Sequence, residues 1–283
     1  MSNNRQSLRA RIKQLPPLPP ATSRLLEMLE DDEQSDDMKQ VEKQILTDPV
    51  LTGRILQIAN SSFYGLRQQV VSIGQACSIL GIHTLKNLVY TMALMQRLNQ
   101  PHQDSVIDYA KVWRHSLLTA SLAGALTEHS RLNSLAMFTT GLFHNIGLLI
   151  MDLLQPKLLQ QQINHARTHH CTLETTTAET GAPSHLAVAA TTLEVWNIPE
   201  SIITPFRQST DKGDDGPRCS TSLNWVRFCA LIAHGMGESY LENVPLALPE
   251  NVSEGYLDKD MSALLPDLHR GYAMYGEFRS NLL

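Results

Sequence analysis

The stretch Thr140–Asp152, TGLFHNIGLLIMD, decides the fold. Its interior is apolar except for one polar pair, His144 and Asn145. A polar group buried without a partner costs about 1–3 kcal/mol, so a pair held in such a run is there for a reason. A histidine followed by an aspartate here would read as two metal ligands aimed into a helical core. In this chain the second residue is an amide.

Working outward, helical periodicity dominates. Asp48-Pro49 reads as an N-cap followed by proline at the first helical position, with Leu51, Ile55 and Ile58 on one face beyond it. Upstream, Ser35 reads as a cap, and Met38, Val41 and Ile45 follow at helical spacing. Ser72 caps a helix with Ile73, Ala76 and Leu80 inward, which stops at Gly81; a further helix carries Leu85, Leu88, Val89 and Met92. From about 105 the helices lengthen, and the pattern predicts them over 105–128, 133–154, 156–170, 183–196, 199–208 and 220–239. STDKGDDGPRC (209–219) reads as a polar loop, and no period-2 strand of useful length is found. LPPLPP (Leu15–Pro20) reads as a stiff extended leader, and a first helix is predicted near 20–30. The tail from 243 reads as mostly irregular with a short closing helix.

Bulk properties exclude several classes. The chain has 283 residues and a net charge of −5, with 42% hydrophobic residues, an ordinary globular composition that argues against a general nucleic-acid binder. Its charge is uneven: basic residues cluster in 1–26 and acidic ones in 27–37, read as two solvated helix faces. Polar residues break every apolar run before membrane-spanning length, and the basic N-terminus lacks the apolar segment of a signal peptide. Cys77, Cys171, Cys219 and Cys229 show no CxxC spacing, which suggests reduced thiols and a cytoplasmic protein.

Several stretches together resemble the HDOD family of bacterial signalling proteins: LPPLPP, ILTDPVLTGRILQIANSSFYG (45–65), SIGQACSILG (72–81), VWRHS (112–116), GLFHNIG (141–147) and ETGAPSHLAVAATTLEVWNIP (179–199). The resemblance covers about residues 12–240 and implies an all-α fold: an HD-domain-like helical bundle with an N-terminal helical subdomain. The implied layout is an N-terminal subdomain over 1–104, an HD-like core over 105–242 and a C-terminal extension over 243–283.

The family belongs to the wider HD phosphohydrolase superfamily, whose active members hold divalent ions. Carried over, His115 matches the first histidine, His144 the histidine of the HD pair and His185 a later one, while Asn145 stands where those enzymes have aspartate. Two departures add to this. The segment after W-x-I-P reads ESIITPFRQST, with no histidine between His185 and His234, and LNWVRFCALIAHG supplies no acid before Glu238. A neutral amide cannot bridge two cations, and loss of even an outer partner lowers metal affinity about 10–100-fold.

The expectation is therefore a non-catalytic regulatory module that binds another protein and carries no cofactor. Asn145 is expected to hydrogen-bond across to one of the buried histidines. The alternative is a phosphohydrolase with one Zn, Fe, Mn or Ni ion on His115, His144 and His185; a second is a nucleic-acid-binding regulator. That last reading comes from SIGQACSILGIHTLKNLVYTM, which looks like a helix-turn-helix, although only Lys86 and Asn87 suit base edges. His165 and His169 lie four apart, with His170 and Cys171 next, but their polar surroundings read as a surface helix. Trp196 reads as a packing residue and Asn60 as a helix stop.

Overall fold

The computed structural model describes residues 9–12, 24–25, 28, 38–60, 69–98, 101–129, 134–196, 198, 200–209, 212–213, 216–217, 221–247 and 261–282. The LPPLPP leader, Ser35, Cys219, the acidic cluster, and Arg5 and Lys13 of the basic one lie outside them, as does most of the first predicted helix. The fold is all-α: among the described residues the only strands are an antiparallel pair, Lys212–Gly213 with Gly216–Pro217, inside the predicted polar loop.

The chain divides into two units, residues 16–99 with 276–283, and residues 1–15 with 100–275. In the smaller unit, α1 (Met38–Ile45) buries Val41 and Ile45. The α2 helix (Pro49–Ala59) starts as its sequence dictates: the Asp48 carboxylate accepts from the backbone N–H groups of Val50 and Leu51, and Pro49 sits where no N–H is needed. At its end the Asn60 side chain accepts from Val70 N–H at 2.7 Å and donates to Val70 C=O at 2.8 Å, fixing the returning chain. The Ser72 hydroxyl caps α3 (Ile73–Arg97) by accepting from Gln75 N–H at 3.2 Å. Gly81 interrupts α3 at φ 72, ψ 162, so the expected glycine stop is a sharp bend between two helical stretches. Beyond the bend Leu85, Leu88, Val89 and Met92 are buried, which leaves the apolar face of the would-be recognition helix in the core. The side chains of Lys86 and Asn87 lie outside the described residues.

The larger unit holds α4 (Tyr109–Ala125), whose Asp108 cap accepts from Lys111 N–H, followed by a 3-10 turn, Leu126–His129. Next come α5 (Ser134–Phe143), α6 (Ile146–Leu154), α7 (Pro156–His169), α8 (Leu173–Thr180), α9 (His185–Val195), α10 (Glu200–Gln208) and α11 (Thr221–Gly235). The α4 helix packs on α5 and α11, and α9 packs on α6 and α10. Trp113, Phe143 and Phe206 fill the middle. Trp196 is only half-buried at the end of α9.

Three expectations need correction. The predicted 133–154 helix is two helices, broken at His144 and Asn145, because Asn145 adopts φ −103, ψ 5 and opens α6 as its N-cap. The α8 helix was not expected, since LETTTAET has no apolar stripe; the Thr172 hydroxyl nucleates it by accepting from Thr175 N–H. The closing helix, α12 (Met261–Leu282), is 22 residues rather than short. Pro266 lies inside it and obscures the pattern; residues 248–260 lie outside the described ones. By length and composition Ala136–Leu154 could cross a membrane, but 89% of that window is buried inside the fold.

Candidate functional site

Two glycines of GLFHNIG bring the helices together. A Cβ on Gly141 would lie 2.8 Å from the Ala120 α-carbon in α4, and one on Gly147 would lie 1.8 Å from the His185 carbonyl oxygen in α9. Only hydrogen fits at either place. The break between α5 and α6 is thus pressed against α4, which carries His115, and against the first turn of α9, which carries His185.

His115, His144 and His185 are all buried, with relative exposures of 0%, 8% and 6%. The His115 and His144 rings lie 5.3 Å apart between centroids and are tilted by 52°. The Tyr240 ring also packs against His115, with centroids 4.6 Å apart. His115 Nδ1 is 2.6 Å from the Glu238 carbonyl oxygen, and His144 Nδ1 is 2.5 Å from that of Gly141. A carbonyl only accepts, so both Nδ1 atoms carry the proton and both Nε2 atoms keep a lone pair.

Burial makes these imidazoles neutral. It lowers His115 to about 3, with the nearby His144 adding to the effect and the Glu238 carbonyl opposing it. Burial likewise lowers His144 to about 4, against the pull of the Gly141 carbonyl. His185 is lowered by burial; Glu174 opposes this and Arg227 reinforces it. The Tyr240 phenol is pushed up by burial and by the Glu174 charge, while the Asn145 side chain facing it pulls the other way.

A small cavity of about 40 Å³ opens beside His144, Asn145 and His185, room for a few waters. Its wall also carries Glu174, Arg227 and Tyr240. Among the described residues Glu174 is its only carboxylate, and Arg227 Nη2 stands 3.5 Å from Glu174 Oε1, which lies 4.0 Å from His185 Nε2. With neutral histidines the described lining therefore carries no net charge.

Sequence reasoning missed Glu174, Arg227 and Tyr240. Glu174 sits on the unexpected helix α8, and Arg227 stands in LNWVRFCALIAHG, a stretch that carries a base and no acid. The expected hydrogen bond from Asn145 is not made. No ring nitrogen pairs with its amide, and His115 Nε2, His144 Nε2 and His185 Nδ1 have no hydrogen-bond partner of their own. The amide, at the helix break, faces the Tyr240 phenol instead.

These bare nitrogens are the right donors for a transition-metal ion, but their spacing is not right. Among the described residues, no three donor atoms of this cluster lie within 4.8 Å of one another. No carboxylate stands at position 145 to draw them in, and Arg227 offsets the charge of Glu174. The residues do not fit a metal pair, and the trio is not gathered around a single ion.

The HDOD domain model matches residues 15–212. The chain belongs to the HDOD family. The match ends before α11, which brings Arg227 to the HDOD cavity. Three solved structures share the fold. An HDOD domain protein of unknown function from Geobacter sulfurreducens is 20% identical, with TM-score 0.67 over 100% of this chain and 99% of that one. A protein from Shewanella amazonensis SB2B, named as a candidate phosphohydrolase, is also 20% identical, with TM-score 0.71 over 98% of each chain. A protein from Marinobacter aquaeolei VT8, named as a candidate signal transduction protein, is 22% identical, with TM-score 0.62 over 94% of this chain and 60% of that one. An uncharacterized protein of Treponema pallidum (strain Nichols) is 24% identical over 248 residues, and the chain spans about half of it, 47%.

Proposed function

We propose that this HDOD chain is a non-catalytic regulatory module that acts by binding another protein, with the former metal pocket kept as a buried structural cluster. The observation that carries the reading is the charge of the cavity: Asn145 is neutral, and Arg227 offsets the one carboxylate, Glu174. Phosphoester hydrolysis in this superfamily draws on metal ions to generate hydroxide and to offset phosphoryl charge. A cavity whose described lining has one carboxylate, offset by Arg227, lacks the anionic bridge that paired cations need.

The test takes the purified chain with Mn, Fe, Zn or Ni added and offers phosphomonoesters, phosphodiesters and nucleotides. The expected result is no turnover that His144→Ala removes. In parallel, the full chain is used as bait in its native host, and captured proteins are purified and tested for direct binding. A defined pair should form and survive His144→Ala. Metal-dependent turnover abolished by His144→Ala overturns the reading in favour of a phosphohydrolase, and salt-sensitive DNA binding without a protein partner overturns it in favour of a nucleic-acid regulator.

A further inference from the structure

We propose that the turn between α7 and α8 is a surface site for zinc or another thiophilic divalent cation, held by His165 Nε2, Cys171 Sγ and the Glu179 carboxylate. These three donor atoms all lie within 4.8 Å of one another. His165 Nε2 and Glu179 Oε2 are already 2.9 Å apart. Zinc bonds of about 2.0–2.3 Å place neighbouring tetrahedral ligands about 3.3–3.7 Å apart, so side-chain rotation closes the set. One nitrogen, one sulfur and one oxygen suit a borderline-soft ion, whereas Mg²⁺ and Ca²⁺ take oxygen throughout. Water completes the fourth position.

The backbone of the turn supports this use. His170 adopts the left-handed conformation, φ 49, ψ 40, where helices more often carry glycine. That conformation lets Cys171 N–H donate to the Ala166 carbonyl at 3.0 Å and turns the chain back toward His165. Cys171 is half-buried and within 3.4 Å of the Thr176 hydroxyl, whereas Cys77 and Cys229 are buried in the core. The ordinary alternative, an exposed His165–Glu179 pair beside an idle thiol, is worth at most about 1 kcal/mol. Binding replaces the Cys171 thiol proton, which leaves to solvent, with the metal. The ion then ties α7 to α8, the helix that carries Glu174.

The site is separate from the histidine cluster and independent of the function proposed above. Full-length protein, stripped with chelator and kept reduced, is titrated with Co²⁺ and then Zn²⁺. Wild type should bind one equivalent with a sulfur-to-cobalt charge-transfer band in the near ultraviolet, and Zn²⁺ should displace it. The band should persist in His144→Ala and vanish in Cys171→Ser, with circular dichroism checking each fold. Glu179→Gln and His165→Ala should weaken binding at least about tenfold. No thiolate band in wild type, or a band that survives Cys171→Ser, overturns the proposal.

Discussion

Gly147 lies directly against the backbone of His185, so closely that a β-carbon would sit 1.8 Å from the His185 carbonyl oxygen. One missing methyl group thus sets the distance between the helix that follows Asn145 and the helix that His185 begins. Gly147→Ala should force these helices apart and cost about 3 kcal/mol, read as a lower urea midpoint. Gly53→Ala is the control. It lies exposed inside α2 with nothing within 4 Å of the added carbon, and should stabilise by about 0.5–1 kcal/mol.

Acid should destabilise the fold through the buried histidines. His115 and His144 sit at about 3 and about 4 when folded, against an ordinary value of 6.5. Between those values the unfolded chain binds more protons than the folded one, so stability rises with pH there. It is fully present above about 6.5 and lost as pH falls toward 4. Urea unfolding at pH 7 and pH 5 should differ by about 2–4 kcal/mol. His115→Gln should flatten the slope; an unchanged slope would remove His115 from the account.

Asn145→Asp restores the anion that the pocket lacks. Without metal the buried carboxylate should lower stability by about 2–4 kcal/mol. In a Cys171→Ser background, which lacks the proposed α7–α8 site, added Mn²⁺ or Zn²⁺ should recover part of that loss in the variant and leave the protein with Asn145 unmoved, as read by thermal melting with and without the ion. Equal stabilisation of both proteins through His144 would show that position 145 does not control ion binding.

Glu174→Gln leaves Arg227 on the cavity wall without its carboxylate and removes the charge that favours protonated His185. With both partners mostly covered, the expected loss is about 1–2 kcal/mol. A double-mutant cycle with Arg227→Met should return a coupling of about 1 kcal/mol. Zero coupling would mean the pair is incidental.

Much of this was legible in the sequence where chemistry is local. Asp48-Pro49, Ser72 and Gly81 act on the backbone within a few residues of themselves, and each stands in the structure at the predicted point. The break at His144 and Asn145 was not legible, because the apolar pattern runs on through it and Gly147 against α9 is a long-range contact. Helix α8 was hidden for another reason: threonines give no stripe, and a hydroxyl cap does the work. The polar gaps around Asn145 depend on ångström-scale placement that residue types do not encode.

The ring orientations of His115 and His144 are secured by carbonyl groups of Glu238 and Gly141, which belong to the main chain. Replacing the Glu238 side chain would remove its contacts to Arg114 and Tyr275, yet leave the carbonyl that faces His115 in place. An alanine scan would therefore be blind to what keeps these imidazoles aligned. Only an edit to the peptide itself, such as an ester in place of the amide or a shifted loop length near 238, would make that restraint visible.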